Sequence, residues 1–190
     1  MPAVVISGSG RGAGKTAVGC ALIAAIPEFQ WVAVKVTPHL HDLEAGLHEE
    51  TELESSKDTA RYLRAGAMRS FLISVSRSSN SIANAQLLGK VAQLAPVAAA
   101  WIVESGGMDA GDLDEIAGPV VSLAILTGRA EEWKPSVLLR LASADALVVT
   151  GGGLPEQLSP ELQSISSFYL PEGRWVSEEL LSFVRARLRL

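Results

Sequence analysis

The nine residues Gly8-Ser9-Gly10-Arg11-Gly12-Ala13-Gly14-Lys15-Thr16 constrain this chain more than any other stretch. They follow Ala3-Val4-Val5-Ile6, an apolar run that reads as a short buried strand, and lead into residues 14–25, which read as a buried, almost wholly apolar helix. A glycine-rich turn between strand and helix lets successive backbone N–H groups converge on one concavity, a nest for phosphate oxygens. The helix N-terminus adds the positive end of its dipole. In that setting Lys15 places an ammonium on the β- and γ-phosphates, and Thr16 offers a hydroxyl to Mg²⁺. Nucleotide contacts are expected from Gly10, Arg11, Gly12, Ala13, Gly14, Lys15, Thr16 and Ala17. The pattern G-x-x-x-x-G-K-[ST] asks for glycine at position 9, where Ser9 stands. Gly8 lies one residue early, which leaves Gly10 and Gly12 to supply the backbone freedom.

Apolar runs alternate with helical patterns down the rest of the chain. Strands are expected over 3–6, 31–36, 71–75, 98–103, 119–126 and 146–150, with a last short one over 165–169. Helices are expected over 14–25, 56–65, 81–94, 136–142 and 177–188, the last capped by Ser177. The polar stretch 37–54 reads as a long loop. Strands without polar alternation, separated by helices, argue a parallel sheet covered on both faces. The expected fold class is therefore α/β: three layers around a mostly parallel central sheet.

The 190 residues suit one nucleotide-binding domain over 1–190. Hydrophobic residues at 48% and charged residues at 19% exclude disorder as the general state. A net charge of -5 speaks against a nucleic-acid partner. The apolar runs 17–26 and 95–103 are too short to span a bilayer, so no membrane partner is expected. The opening MPAVVISGSG lacks the basic region of a signal peptide, and a cytoplasmic location is expected. The single Cys20 excludes an intramolecular disulfide and any multi-cysteine metal site.

A second set of candidates lies away from the loop. Glu104 closes the run Val103-Glu104 and precedes Ser105-Gly106-Gly107, at a strand end where open α/β sheets bind ligands. It is either the best-placed acid to stand near Mg²⁺ or a solvated acid at a strand end. Lys35 interrupts an apolar strand: either it points toward the phosphate site, or it snorkels from an edge strand. Asp58 opens a helix, either as a water-mediated Mg²⁺ ligand or as an ordinary first-turn acid. His39, His41 and Asp42 form either a transition-metal ligand set or part of a solvated switch loop. Arg61, Arg64 and Arg69 read as surface ion-pair partners. The catalytic candidates are thus Lys15, Lys35 and Glu104, and the metal candidates Thr16, Asp58 and Glu104.

With these residues in view, the chain resembles the MobB family of P-loop NTPases. The resemblance rests on the P-loop, on Val34-Lys35-Val36-Thr37-Pro38-His39-Leu40-His41-Asp42, and on Ser56-Lys57-Asp58-Thr59-Ala60-Arg61-Tyr62-Leu63-Arg64-Ala65-Gly66-Ala67. Val103-Glu104 is similar to that family's strand-end acid, and the likeness covers roughly the first 105 residues. It implies GTP and Mg²⁺ binding, weak hydrolysis and a homodimer. It also implies an accessory role beside the enzyme that attaches the nucleotide to molybdopterin. The chain is similar as well to dethiobiotin synthetase-like enzymes, through Lys35 and Glu104-Ser105-Gly106-Gly107. That likeness implies ATP-dependent activation of a small acid. A non-catalytic nucleotide sensor is the third reading. No Asn-Lys-x-Asp motif follows the strand 146–150, where Gly151-Gly152-Gly153-Leu154 stands instead. The nucleotide is therefore GTP or ATP.

Overall fold

The computed structural model describes residues 1–37, 46–74, 81–105, 113, 117–127, 135–151 and 160–189. His39, His41 and Asp42 lie outside the described residues. Eight strands form one sheet: β1 (Ala3–Gly8), β2 (Trp31–Thr37), β3 (Gly46–Glu50), β4 (Arg69–Ser74), β5 (Ala100–Ser105), β6 (Val120–Leu126), β7 (Ala146–Thr150) and β8 (Ser166–Leu170). Their order across the sheet is β3-β4-β2-β5-β1-β6-β7-β8. Every pairing is parallel except β3 with β4. Among the described residues there are six α-helices: α1 (Lys15–Ala25), α2 (Asp58–Arg64), α3 (Ser81–Leu94), α4 (Pro135–Ala142), α5 (Pro160–Gln163) and α6 (Glu178–Leu188). The expected α/β fold with a mostly parallel sheet is the one observed.

Both faces of the sheet are covered, which is why its central strands read as unbroken apolar runs. On one face Val4, Ile6 and Ile102 pack against Leu22 and Ile23 of α1, Tyr62 of α2, and Leu180 and Val184 of α6. On the other face Val5, Val34 and Val103 meet Leu88 and Val91 of α3. Farther along that face Ala124 and Leu147 meet Val137 and Leu141 of α4. Ser177 caps α6 as expected, its hydroxyl accepting from the Leu180 N–H at 3.3 Å. Among the described residues no helix is long and apolar enough to cross a membrane.

The stretch 37–54, read as a loop, contains strand β3. Its sequence Gly-Leu-His-Glu-Glu carries no strand pattern, because an edge strand needs only backbone partners. Its charges suit that edge, which would otherwise template further pairing. Arg69 on β4 holds Glu49 at 2.6 Å, and Glu50 accepts from the Thr59 hydroxyl of α2 at 2.9 Å. Arg61 pairs with Asp58 at 3.1 Å, and Arg64 donates to the carbonyls of Leu53 and Ser55.

Candidate functional site

The loop between β1 and α1 owes its shape to two glycines. Gly12 and Gly14 have φ of 80° and 92°, a left-handed conformation that glycine adopts without a Cβ penalty. Gly14 also caps α1, accepting from the Val18 N–H at 2.9 Å. Gly8 serves a different purpose. A Cβ there would lie 2.4 Å from the Ile125 carbonyl oxygen of the adjacent strand, so β1 and β6 approach too closely for any side chain. Gly10 is exposed and has open space around it.

Ser9 departs from the motif for a structural reason. Its hydroxyl donates to the Thr127 carbonyl at 3.2 Å and accepts from the Thr127 N–H at 3.1 Å, which ties the loop to the end of β6. Thr150, at the end of β7, donates to the Ala13 carbonyl at 3.0 Å and lies 3.2 Å from the Leu126 carbonyl, a second tie of the loop to the β6–β7 side of the sheet. Lys15 folds back along the concavity, and its ammonium lies 2.6 Å from the Gly10 carbonyl. Arg11 is exposed at the crest of the loop, Ala13 is buried, and Ala17 is half-buried in the first turn of α1.

Beside this loop, side chains from β2, β5, α1 and α2 form one bonded cluster. Lys35 and Glu104 are register partners on neighbouring parallel strands, so their side chains leave the same face side by side. Glu104 is only 5% exposed and accepts three hydrogen bonds. They come from the Thr16 hydroxyl at 2.7 Å, the Tyr62 hydroxyl at 2.6 Å and the Lys35 ammonium at 3.0 Å. Lys35 also bonds Asp58, which in turn accepts from Arg61 at 3.1 Å. β2 runs between β4 and β5, so Lys35 cannot snorkel from an edge; it points at the site.

Lys35 and Asp58 hold each other ionised. Burial works against the Lys35 ammonium, but Glu104 and Asp58 outweigh it and raise its pKa. Burial also opposes the Asp58 charge, yet bonds from Lys35 and Arg61 outweigh it and hold the carboxyl below its usual range. Burial first, and Glu104 next, push the Tyr62 phenol well above its ordinary value, so it remains a donor. Burial pushes the nearby Cys20 thiol up to about 11, which leaves it a protonated, unreactive side chain.

The structure thus brings together Thr16, Lys35, Asp58 and Glu104, with Asp58 joined through Lys35. The Thr16 hydroxyl and Glu104 carboxylate are hard oxygen donors, of the kind Mg²⁺ takes alongside phosphate oxygens and water. The donor set therefore fits that ion. Among the described residues no group of three His, Cys, Asp or Glu side chains is placed to hold a metal.

Tyr62 and Thr150 were not singled out from the sequence. For Tyr62 a signal exists: Asp58, Arg61 and Tyr62 stand at i, i+3 and i+4 on one helix face. Gly19 of α1 makes room for that ring, since a Cβ there would lie 2.9 Å from the Tyr62 Cε1. Gly19→Val should therefore overpack the site and lower unfolding stability by about 2 kcal/mol, read by urea denaturation. An unchanged midpoint would mean that the Tyr62 ring moves aside freely.

The strand order, the left-handed glycines ahead of α1 and the Lys15–Thr16–Glu104 arrangement decide the fold. It is the P-loop NTPase fold. No family model matches the chain, and no curated protein matches it. Among solved structures, a MobB protein homologue from Bacillus stearothermophilus is similar in fold, with 14% identity and a TM-score of 0.50. The match covers 98% of this chain and 97% of that one. HypB from Helicobacter pylori, solved in complex with nickel, is similar at 17% identity and a TM-score of 0.54, covering 98% of this chain and 86% of that one. At these identities the likeness is one of fold. The P-loop and its partner residues carry the functional reading.

Proposed function

We propose that this chain binds a purine nucleoside triphosphate, GTP or ATP, together with Mg²⁺ at the P-loop and hydrolyses it slowly. We place it as a MobB-like accessory protein in molybdopterin guanine dinucleotide biosynthesis, acting as a homodimer beside a molybdenum-cofactor enzyme. The observation that carries the nucleotide reading is the Thr16–Glu104 hydrogen bond at the mouth of a loop whose lysine already lies along the concavity. Backbone N–H groups of residues 10–17 and the α1 N-terminus bind phosphate oxygens. Lys15 neutralises charge on the β- and γ-phosphates. Lys35 holds Glu104 and Asp58 in place and neutralises them. Thr16 and Glu104 would hold Mg²⁺, which would supply neutralisation of phosphate charge.

The same cluster weighs against a synthetase acting on a small acid. Lys35, the residue that would meet such a substrate, already has two carboxylate partners.

The test is thermal unfolding with ATP, GTP, ADP and GDP, each with and without Mg²⁺. A ligand at 100 times its Kd adds about 2.7 kcal/mol, a shift of about 5–10 °C for a chain of this size. Lys15→Ala should weaken nucleotide binding by about tenfold to hundredfold, the range of a hydrogen bond to a charged group. A flat panel for the natural sequence, or unchanged affinity in Lys15→Ala, overturns the reading. A stimulation of hydrolysis by small carboxylic acids would favour the synthetase instead.

A further inference from the structure

Trp175 sits in the short connection between β8 and α6, and its ring lies against the phosphate loop. A Cβ placed on Gly14 would come 2.7 Å from Cζ3 of Trp175, 3.4 Å from Cε3 and 3.6 Å from Cη2. The six-membered ring of the indole is therefore seated on the backbone of the residue that caps α1. Gly14 answers two demands at once: a left-handed φ and room for this ring.

The placement is firm. The Arg174 N–H donates to the Pro171 carbonyl at 3.0 Å, and Gly173 turns the chain with φ of 77°. Ser177 then caps α6, which is anchored in the core by Leu180, Leu181 and Val184. β8 runs parallel to β7, and through β6 to β1, so this connection leaves the same carboxyl edge of the sheet as the P-loop. Ligands of open α/β sheets bind along that edge.

Among the described tryptophans, exposure sets Trp175 apart. Trp31 and Trp101 are 1% and 2% exposed, whereas Trp175 is 38% exposed. An indole with one edge on a glycine and much of its surface in water leaves apolar area unburied, which a flat ligand would cover. Stacking needs no contact to a base edge, because every base presents a π-face.

We infer that Trp175 is the stacking platform for the nucleobase of the bound nucleoside triphosphate, selecting for a base without reading which purine it is. This inference rests on the nucleotide reading of the P-loop. It predicts similar affinity for ATP and GTP, and a separation of the base contribution from the phosphate contribution.

The experiment compares Mg-ATP, Mg-GTP and inorganic tripolyphosphate with Mg²⁺, binding to the full chain and to Trp175→Ala and Trp175→Phe. Trp175→Ala should weaken both nucleotides by roughly fivefold to hundredfold, the span of base–aromatic stacking measured by alanine substitution. It should leave tripolyphosphate within about twofold, because the contacts to phosphate oxygens are untouched. Trp175→Phe, which keeps an aromatic face, should recover most of the loss. Tryptophan fluorescence of the natural sequence gives a second readout: quenching by ATP and GTP, little response to tripolyphosphate, and no nucleotide response in Trp175→Phe. Equal weakening of nucleotides and tripolyphosphate would assign Trp175 to loop packing and overturn the inference, as would unchanged nucleotide affinity in Trp175→Ala. A natural-sequence protein that binds tripolyphosphate as tightly as ATP overturns it while sparing the P-loop. One that binds none of the three removes the nucleotide reading itself, and this inference with it.

Discussion

Glu104→Ala should lower the unfolding free energy by about 3 kcal/mol, the lower end of what breaking a buried ion pair costs. Three donors converge on this carboxylate, and two of them, Thr16 and Tyr62, are buried. Removing the acceptor strands both hydroxyls, at about 1–3 kcal/mol for each unsatisfied group. Lys35 moderates the loss because it keeps Asp58 and retains 22% exposure, so its ammonium is never left wholly unpaired. Glu104→Gln keeps an oxygen of the same reach and should cost about half as much. Guanidinium denaturation of the two variants reads the difference. A loss below about 1 kcal/mol in Glu104→Ala would show that the cluster is re-solvated at little cost, and that Glu104 is free to serve a ligand alone.

How much of this was legible in the sequence depends on whether a feature is local or needs the order of strands. The β1–loop–α1 unit is local. Its glycines, Lys15 and Thr16 stand in the order that a strand, an anion nest and a helix start require, so it can be read directly. Glu104 at a strand end is legible for the same reason. Lys35 was not decided by sequence, because an edge lysine and a central lysine look identical in a run of valines. Only the position of β2 between β4 and β5 separates them. Likewise, nothing in the spacing of residues 35, 58, 62 and 104 shows that they meet. The register of β2 against β5 and the packing of α2 bring them together. β3 was missed because its polar residues obey the needs of a guarded edge rather than the pattern of a buried strand. Ser9 looked like a defect in a phosphate motif, yet its two bonds to Thr127 show a side chain fixing the loop to β6.

The sequence assigns the loop's backbone freedom to Gly10 and Gly12, whereas the structure places the left-handed φ at Gly12 and Gly14 and gives Gly8 a packing role. Gly8→Ala should cost about 3 kcal/mol of unfolding stability, because the added carbon overlaps backbone rather than a movable side chain. Its position 2.4 Å from the Ile125 oxygen leaves two ways out: β1 and β6 part, or the Gly8 backbone rotates. Either route strains the Ser9 N–H bond to that same carbonyl, at 2.9 Å, and the Ser9–Thr127 pair just beyond it. β1 lies in the middle of the sheet, so the strain cannot be shed to solvent. Gly10→Ala should stay within about 0.5 kcal/mol of the natural sequence, as exposed substitutions away from such features usually do. The Gly10 carbonyl that Lys15 reaches belongs to the backbone and survives the change. Gly12→Ala falls between them, at about 1–2 kcal/mol, because a left-handed φ penalises a Cβ even in open space. Urea denaturation of the three variants should therefore rank them Gly8, Gly12, Gly10. If Gly8→Ala and Gly10→Ala proved equally mild, the close approach of β1 and β6 would be one that the sheet relaxes without loss, and Gly8 would join the loop glycines as a matter of conformation rather than space.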